Sequence, residues 1–304
     1  MTITPTPLAV SSLCLGTNIF GWTAGERESF AVLDAYVAAG HNFLDTADVY
    51  SAWVDGHSGG ESEAVIGAWL ERPGNRDRVL VATKVGNLGG LAADNVRRCL
   101  EDSLRRLRTD YVDVYYLHRD VADVPLQETL AAVDDEVRRG RVRHVGLSNF
   151  SAARATEAIE ICERDGLAPI RMVSPHYNLL ERKYEQRLAA VCAAHGIACV
   201  PYYGLASGFL TGKYRPGVDV GSARGRLDGS RYLDDRGIAA LDALDAIALA
   251  HDTTVAAVAL AWLRGRPTVV APIASARTPE QLAQLLPMES VELSEAELQR
   301  LDAV

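Results

Sequence analysis

Four residues that could move a proton follow short apolar runs of the sequence. Asp45 and Tyr50 belong to DTADVY, Lys84 ends VLVATK, and His118 ends VYYLH. A phenol titrates at about pH 10 in water, and a neighbouring ammonium lowers its pKa by stabilising the phenolate. A carboxylate keeps that ammonium charged, and an imidazole can bind a substrate oxygen or assist the proton transfer. Such a cluster suits protonation of an oxygen that becomes an alkoxide, as when a hydride reduces a carbonyl group.

Each of these residues also has a purely structural interpretation. Asp45 could cap a turn, Lys84 could extend from the rim of the fold, and His118 could be a hydrogen-bonded core histidine. The set as a whole favours chemistry, because ionisable side chains inside a protein are costly unless they pair with one another.

The elements that must position these residues are short strands alternating with helices. Eight apolar runs, separated by stretches with helical spacing, predict parallel strands that are covered on both faces. Since such strands end at one mouth, we expect an α/β fold, a (β/α)8 TIM barrel that forms a single domain over residues 1–304 rather than two smaller domains. Residues Met1–Val10 are expected to form a β-hairpin that caps the barrel floor. The predicted strands are Leu13–Thr17, Asn42–Thr46, Arg78–Lys84, Val112–His118, Val142–Asn149, Arg171–Ser174, Ala198–Tyr203 and Thr268–Ile273.

Local signals mark several helix ends. Gly40, Gly140 and Gly196 each close a helical pattern just before a strand, where a left-handed residue is favoured. Ser294 and Glu297 have the spacing of a capping box, which predicts the start of a final surface helix.

Composition narrows the function. The chain has 304 residues, of which 40 are acidic and 31 basic, and this net charge of −9 argues against a nucleic-acid partner. No apolar run approaches the roughly 18 residues of a membrane span, and no targeting segment is present, so we expect a cytoplasmic protein without a membrane partner. The 5 scattered cysteines suit a reducing compartment. The 7 dispersed histidines and the absence of an HExxH motif predict no metal site and disfavour a metal hydrolase. The oligomeric state stays open.

Several longer stretches, in order, resemble the aldo-keto reductase family from the first strand to about Gln281. These are LGTNIFG, NFLDTADVY, ESEAVIG, VATK, DSLRRLRTDYVDVYYLH, GRVRHVGLSNF, HYNLL, FLTGKY and VVAPIASARTPEQL. The resemblance implies that Tyr50 is the general acid/base, that Lys84 and Asp45 tune it, and that His118 orients the substrate carbonyl. The expected reaction is the NADPH-dependent reduction of an aldehyde or ketone, a small-molecule carbonyl, to an alcohol.

The resemblance also implies a nicotinamide cofactor that lies extended across the barrel mouth without a Rossmann domain. Ser148 and Asn149 would hold its carboxamide, and Tyr202 would stack on the nicotinamide ring. The charge of Arg277 suits a 2′-phosphate, which favours NADPH and leaves NADH as a weaker substitute. The full predicted set is Gly16, Thr17, Asn18, Ser148, Asn149, Ser174, Tyr202, Leu205, Gly208, Lys213, Ser275, Arg277 and Gln281.

The sequence departs from the family pattern on the cofactor side. Ser174 stands where the family usually has glutamine, and Tyr203-Gly204 replaces a Ser-Pro pair. Gln284-Leu285 replaces a Glu-Asn pair, so strict NADPH use and dual cofactor use both stay open.

Two long connections, Ala47–Glu61 and Gly204 to about Arg236, are expected to open on the barrel mouth. Aromatic and polar residues in the mouth loops are candidate walls of a substrate pocket, or else pack beneath their loops. They are Phe20, Trp22, Trp53 and His57.

Two other functions compete with a reductase. One is a cofactor-binding regulatory subunit similar to the β subunits of potassium channels, whose sites resemble those of the enzymes. The other is a Schiff-base lyase that uses Lys84 as its amine. Such an amine works best with a lowered pKa, and Asp45 would oppose that.

Overall fold

Eight parallel strands form one sheet in the computed structural model, which describes residues 8–218, 220 and 229–304. Neighbouring strands follow the order β7-β6-β5-β4-β3-β2-β1-β8. The strands are β1 Cys14–Gly16, β2 Phe43–Asp45, β3 Leu80–Val85, β4 Val112–Leu117, β5 Val142–Ser148, β6 Ile170–Ser174, β7 Ala198–Cys199 and β8 Ile273–Ala274.

Backbone hydrogen bonds between the segment 199–201, at the end of β7, and the segment 270–273, at the start of β8, close this sheet. The N–H of Val270 donates to the carbonyl of Cys199 at 3.0 Å, and the N–H of Ile273 donates to the carbonyl of Pro201 at 2.9 Å. With helices interleaved between the strands, the molecule is the (β/α)8 barrel that the sequence predicts.

The last two strands are shorter than predicted. Pro201 and Pro272 lie inside the predicted runs, and a proline has no N–H to donate to a ladder. The ladders are therefore confined to the residues on one side of each proline, and isolated hydrogen bonds join the rest.

Helices cover the outside of the barrel and bury a continuous apolar layer against the strands. Trp69, Leu100 and Leu130 belong to this layer and come from three successive helices. The helices are α1 Glu26–Ala38, α2 Glu61–Leu70, α3 Ala93–Leu107, α4 Leu126–Arg138, α5 Ala152–Asp165, α6 Leu188–His195, α7 Asp235–Ala250, α8 Val255–Arg264, α9 Pro279–Ala283 and α10 Glu295–Asp302.

Side chains that point inward fill the barrel with a second core that includes Phe43, Val114, Tyr116 and Met172. Gly146 makes room for the largest of them, because a Cβ at this position would lie 2.4 Å from the Tyr116 ring. The barrel interior is thus packed with side chains.

The local signals of the sequence are confirmed at the helix ends. Gly40, Gly140 and Gly196 have φ values of +88°, +75° and +63°. Ser294 and Glu297 form the predicted capping box at the start of α10.

Parts of two predicted segments lie outside the described residues. They are most of the hairpin predicted over Met1–Val10 and positions 219 and 221–228 of the second long connection. At the described end of the first, Leu8 is buried in the barrel interior.

Among the described residues, no single helix has both the length and the apolar character needed to cross a membrane. Helices α7 and α8 meet that requirement only when they are taken together, and they are bent by 99° relative to each other.

Candidate active site

Three neighbouring strands bring the predicted catalytic residues to one end of the barrel. Asp45 ends β2, Lys84 lies near the end of β3, and His118 follows β4. Tyr50 comes from the turns after β2. All four side chains line one cavity of about 600 Å³ at the barrel mouth.

Asp45, Lys84 and Tyr50 form a closed polar triangle. The Lys84 ammonium lies 2.6 Å from Oδ1 of Asp45, and both side chains are 2% exposed. The same ammonium donates to the Tyr50 hydroxyl at 2.9 Å, and that hydroxyl donates to Oδ2 of Asp45 at 3.0 Å. Lys84 also donates to the carbonyl of Thr46 at 2.8 Å. The triangle fixes both the position of the phenol and the direction of its proton.

The pKa of Tyr50 differs from the sequence-based expectation. Burial raises this pKa well above its usual value, and the Asp45 carboxylate raises it further. Burial and Asp45 thus outweigh any lowering of this pKa by the Lys84 ammonium. The carboxylate belongs to the same triangle and accepts the phenol proton in a hydrogen bond, which stabilises the neutral phenol. Tyr50 thus holds its proton at neutral pH, as an acid must before it donates.

His118 is a neutral imidazole in this site. Burial, and then the charges of Lys84 and Arg119, lower its pKa to about 3. The His118 ring lies edge-on to the Tyr50 ring, with centroids 6.2 Å apart, and its Nδ1 atom is buried without a hydrogen-bond partner among the described residues. A neutral ring with an unused nitrogen can orient an oxygen, whereas it is a poor source of protons at neutral pH.

Asn149 and Tyr202 form the opposite wall of the cavity. Asn149 has a left-handed backbone, with φ of +57°, and its amide donates to the carbonyl of His118 at 2.8 Å. The Tyr202 hydroxyl donates to Oδ1 of Asn149 at 2.6 Å, and one face of its ring stacks on His176. These contacts hold the ring of Tyr202 upright at the cavity wall.

Most of the predicted cofactor residues line the same cavity, and two do not. Thr17 is fully buried and donates its hydroxyl to the carbonyl of Asp45 at 2.8 Å, so its hydroxyl braces β2. Ser174 is also fully buried, and its hydroxyl has no partner among the described residues. The residues that line the cavity are Gly16, Asn18, Ser148, Asn149, Tyr202, Leu205, Gly208, Lys213, Ser275, Arg277 and Gln281.

Only one of the four predicted pocket walls lines the cavity directly. Trp53 does so and is 42% exposed. Trp22 packs edge-on against Trp53 with ring centroids 5.8 Å apart, which supports that wall from behind. Phe20 is fully buried in the core, because its apolar ring packs inward beneath the loop, and His57 lies outside the cavity lining. Of the two interpretations, packing beneath the loop thus holds for Phe20, and Trp53 is the predicted wall that lines the cavity.

Several residues that line the cavity were not predicted. Asn87 follows β3 shortly after Lys84, and the rule that strand ends carry polar site residues could have found it. Tyr203 was visible only as a departure from the family pattern, and its ring packs edge-on against Tyr202 and His176. Ser207 and Ala256 belong to the irregular connection after β7 and to helix α8, where no motif marks them.

The described residues contain no group of three or more His, Cys, Asp or Glu side chains that could hold a metal ion.

Comparison with known proteins agrees with the fold. Residues 12–304 match the model of the aldo/keto reductase family. The chain is 33% identical to Protein tas of Escherichia coli over 98% of this chain and 94% of the relative. It is 31% identical to the uncharacterized oxidoreductase YrpG of Bacillus subtilis over 98% and 93% of the two chains. It is also 32% identical to a probable voltage-gated potassium channel subunit beta of Oryza sativa, over 91% and 87%.

A (β/α)8 barrel that matches this family model falls into a class of oxidoreductases. The chain belongs to the aldo/keto reductase family.

Proposed function

We propose that this protein reduces an aldehyde or ketone to an alcohol with NADPH. The observation that carries the proposal is the Tyr50 hydroxyl, which lies 2.9 Å from a buried ammonium and 3.0 Å from a buried carboxylate inside a ligand-sized cavity. This arrangement supplies a proton and stabilises the charge that its departure leaves behind.

The cavity suits a long cofactor. Its lining runs from Lys84 and Tyr50 at one end to Arg277 and Gln281 at the other. Arg277 precedes α9, and its exposed guanidinium makes no hydrogen bond or ion pair within the described part of the chain, so it is available to a phosphate. The oxygen of the Gln281 side chain accepts from the N–H of Arg277 at 2.9 Å, which braces this turn. These features support NADPH, with NADH as the weaker substitute.

NADPH, when bound, supplies a hydride to the carbonyl carbon. The chain's own residues act on the oxygen. The neutral His118 orients the carbonyl through a hydrogen bond, and Tyr50 donates its phenolic proton to the oxygen as negative charge develops there. Lys84 then stabilises the phenolate, while Asp45 holds Lys84 in place. Proton uptake from water restores Tyr50.

The ion pair between Lys84 and Asp45 argues against the Schiff-base alternative. A lysine that attacks a carbonyl must first be a neutral amine, and here the 2.6 Å contact with a buried carboxylate stabilises the ammonium.

The test is NADPH oxidation by the purified protein across a broad panel of aldehydes and ketones, followed at the nicotinamide absorbance. We expect turnover of at least one carbonyl class, and fluorescence titrations should show tighter binding of NADPH than of NADH. No turnover across the panel would overturn the reductase assignment, and equal affinities would overturn the cofactor assignment.

The second candidate function is that of a cofactor-binding regulatory subunit, and the similarity to the probable potassium channel subunit beta of Oryza sativa supports it. Tight NADPH binding with negligible turnover, together with a membrane protein recovered in pull-downs, would favour that role over the reductase.

We place the protein in the cytoplasm, because all five cysteines are unpaired and buried.

A further inference from the structure

Asp48 is a buried carboxyl group that the proposed reaction does not use. It lies two positions before Tyr50, is 3% exposed, and neither of its carboxylate oxygens has a well-formed hydrogen bond within the described residues. The chain at Gly59 packs against the backbone of Asp48, since a Cβ at Gly59 would lie 2.6 Å from the carbonyl oxygen of Asp48. A buried carboxylate without a well-formed hydrogen bond is costly, and the backbone N–H of Val49 offsets this cost only in part.

Other carboxylates hold the cations nearest to Asp48. The Nε of Arg106, on α3, donates to Oε2 of Glu63 at 2.7 Å, and Thr83 donates to the other oxygen of the same carboxylate. Lys84, on β3, is paired with Asp45. Two buried carboxylates, Asp48 and Glu63, thus lie in the field of the Arg106 guanidinium, and of these two only Glu63 is paired with it.

Because Glu63 and not Asp48 is paired with Arg106, the charge of Asp48 depends on pH. Burial, and then the Glu63 carboxylate on α2, raise the pKa of Asp48 to about 7, while Arg106 and Lys84 lower it only in part. Two further titratable groups face Asp48, the Cys99 thiol from α3 and the Tyr115 phenol from β4. Asp48 therefore changes its charge near neutral pH.

The backbone of Asp48 connects this group to the catalytic triangle. Its N–H donates to the carbonyl of Lys84 at 3.2 Å, and the N–H of Tyr50 donates to the carbonyl of Ala47 at 3.2 Å. One turn thus carries Asp48 and Tyr50 and is attached to β3 beside Lys84. An ionised Asp48 side chain must gain water or a cation, and either one requires this turn or α3 to move.

We propose that Asp48 is a positioning residue whose neutral side chain keeps the Ala47–Tyr50 turn against β3 and whose ionisation displaces the Tyr50 hydroxyl from Lys84. Where activity is the measurement, the proposal rests on the proposed reductase function.

Kinetics test the proposal first, with Asp48→Asn as the permanently neutral variant. The matched control is Asp55→Asn, which removes one exposed carboxylate from the same connection. We expect kcat of the wild type and of the control to fall about fivefold between pH 7 and pH 8, since the neutral fraction of a group with a pKa of about 7 falls from about one half to about one tenth. The Asp48→Asn variant should keep its kcat over this range, with KM for NADPH unchanged. A variant that falls as the wild type does would overturn the proposal.

Fluorescence gives a second measurement that needs no turnover. The Trp53 ring lies 6.2 Å from the Tyr50 ring, so its emission reports a displacement of the turn. We expect a transition near pH 7 in the wild type that is lost both in Asp48→Asn and in Trp53→Phe. If the transition is seen while no carbonyl is reduced, the reductase function fails and the role of Asp48 stands. If no transition is seen, the role of Asp48 fails.

Stability gives the third measurement. A carboxyl group whose pKa is raised on folding stabilises the fold below its unfolded-state pKa of about 4, and that contribution is lost as the pH rises to 7. The Tm of Asp48→Asn relative to the wild type should therefore increase from pH 4 to pH 7 and then stay constant, and Asp55→Asn should show no such change. Should Asp48→Asn not fold, Glu63→Gln tests the same point, because it frees Arg106 for Asp48 and shifts the kinetic and fluorescence transitions to lower pH. A constant difference in Tm, or unshifted transitions, would contradict the proposal.

Discussion

At the scale of single residues, the central feature of the site is the phenolic proton of Tyr50. Tyr50 donates to Asp45 and accepts from Lys84, so its phenol is neutral and its conjugate base already has a cation beside it. The raised pKa of Tyr50 suits the reduction of a carbonyl, because the acid is fully protonated at neutral pH.

Removing the Tyr50 hydroxyl should abolish the proton transfer while it leaves the cavity intact. We expect Tyr50→Phe to lower kcat for carbonyl reduction by about 10²–10⁴-fold, with little change in the dissociation constant of NADPH. The matched control is Tyr111→Phe, since Tyr111 lies between the guanidinium groups of Arg76 and Arg143, away from the cavity lining. Steady-state kinetics and a fluorescence titration measure the two effects. Unchanged turnover in Tyr50→Phe would remove Tyr50 from the reaction.

The buried ion pair makes a separate prediction about stability. Lys84→Met leaves the Asp45 carboxylate buried without its cation, which should cost about 3–5 kcal/mol of the free energy of unfolding. The double variant Asp45→Asn/Lys84→Met removes both charges and should regain much of this loss. Urea unfolding measures each value at pH 7. A double variant no more stable than Lys84→Met would show that the unpaired charge is not the cause.

At the scale of elements, close helix packing holds the site from outside. Helix α2 approaches α3 at Gly67, where a Cβ would lie 2.0 Å from the carbonyl oxygen of Arg106 and 2.9 Å from Cα of Leu107. The same contact brings Arg106 to Glu63, behind the strands that carry the catalytic residues. Only glycine fits here, and the reason is space rather than backbone freedom.

A methyl group at this contact must push the two helices apart. We expect Gly67→Ala to lower the free energy of unfolding by about 1–3 kcal/mol through overpacking. Gly265→Ala is the control, because a Cβ there meets its nearest neighbours at 3.4 Å and the backbone has an ordinary φ of −72°. Chemical denaturation measures both variants, and the control should stay within about 0.5 kcal/mol of the wild type. Equal effects would show that the α2–α3 contact is more adaptable than its geometry indicates.

At the scale of the whole molecule, the cavity joins distant parts of the chain. Gly16 belongs to the first strand and Gln281 to α9, and both line the cavity. Hydrogen bonds also connect these ends, since the hydroxyl of Ser275 donates to the side-chain oxygen of Asn18 at 3.2 Å. A ligand that fills the cavity therefore contacts the barrel on most sides and should stabilise it as a unit.

NADPH should raise the Tm, and Arg277 should determine the preference over NADH. At 100 times its dissociation constant a ligand adds about 2.7 kcal/mol to the free energy of unfolding. We expect Arg277→Gln to weaken NADPH binding by about 10–100-fold, because charge-assisted hydrogen bonds to the 2′-phosphate are lost. NADH binding should stay unchanged, since NADH has no 2′-phosphate. Arg300→Gln, which removes an exposed charge on α10, serves as the control. An equal loss for both nucleotides would show that Arg277 does not contact the 2′-phosphate.

The sequence by itself determined the alternation of strands and helices along the chain and the residue types at the strand ends. Hydrophobic period, capping residues and breakers such as Gly196 act over a few positions, so they can be recognised without knowledge of the fold. Parallel strands also end at one face of a barrel, which is why Asp45, Lys84 and His118 could be predicted to lie together before any distance was known.

Only the tertiary structure decided the electrostatics and the depth of each side chain. Phe20 and Trp53 both occur in mouth loops, yet one is fully buried and the other is 42% exposed. The raised pKa values of Tyr50 and Asp48 arise from burial and from charged side chains that other elements bring close to them. The physical reason is that desolvation and Coulomb interactions depend on distances across the fold, and separation along the chain does not set those distances.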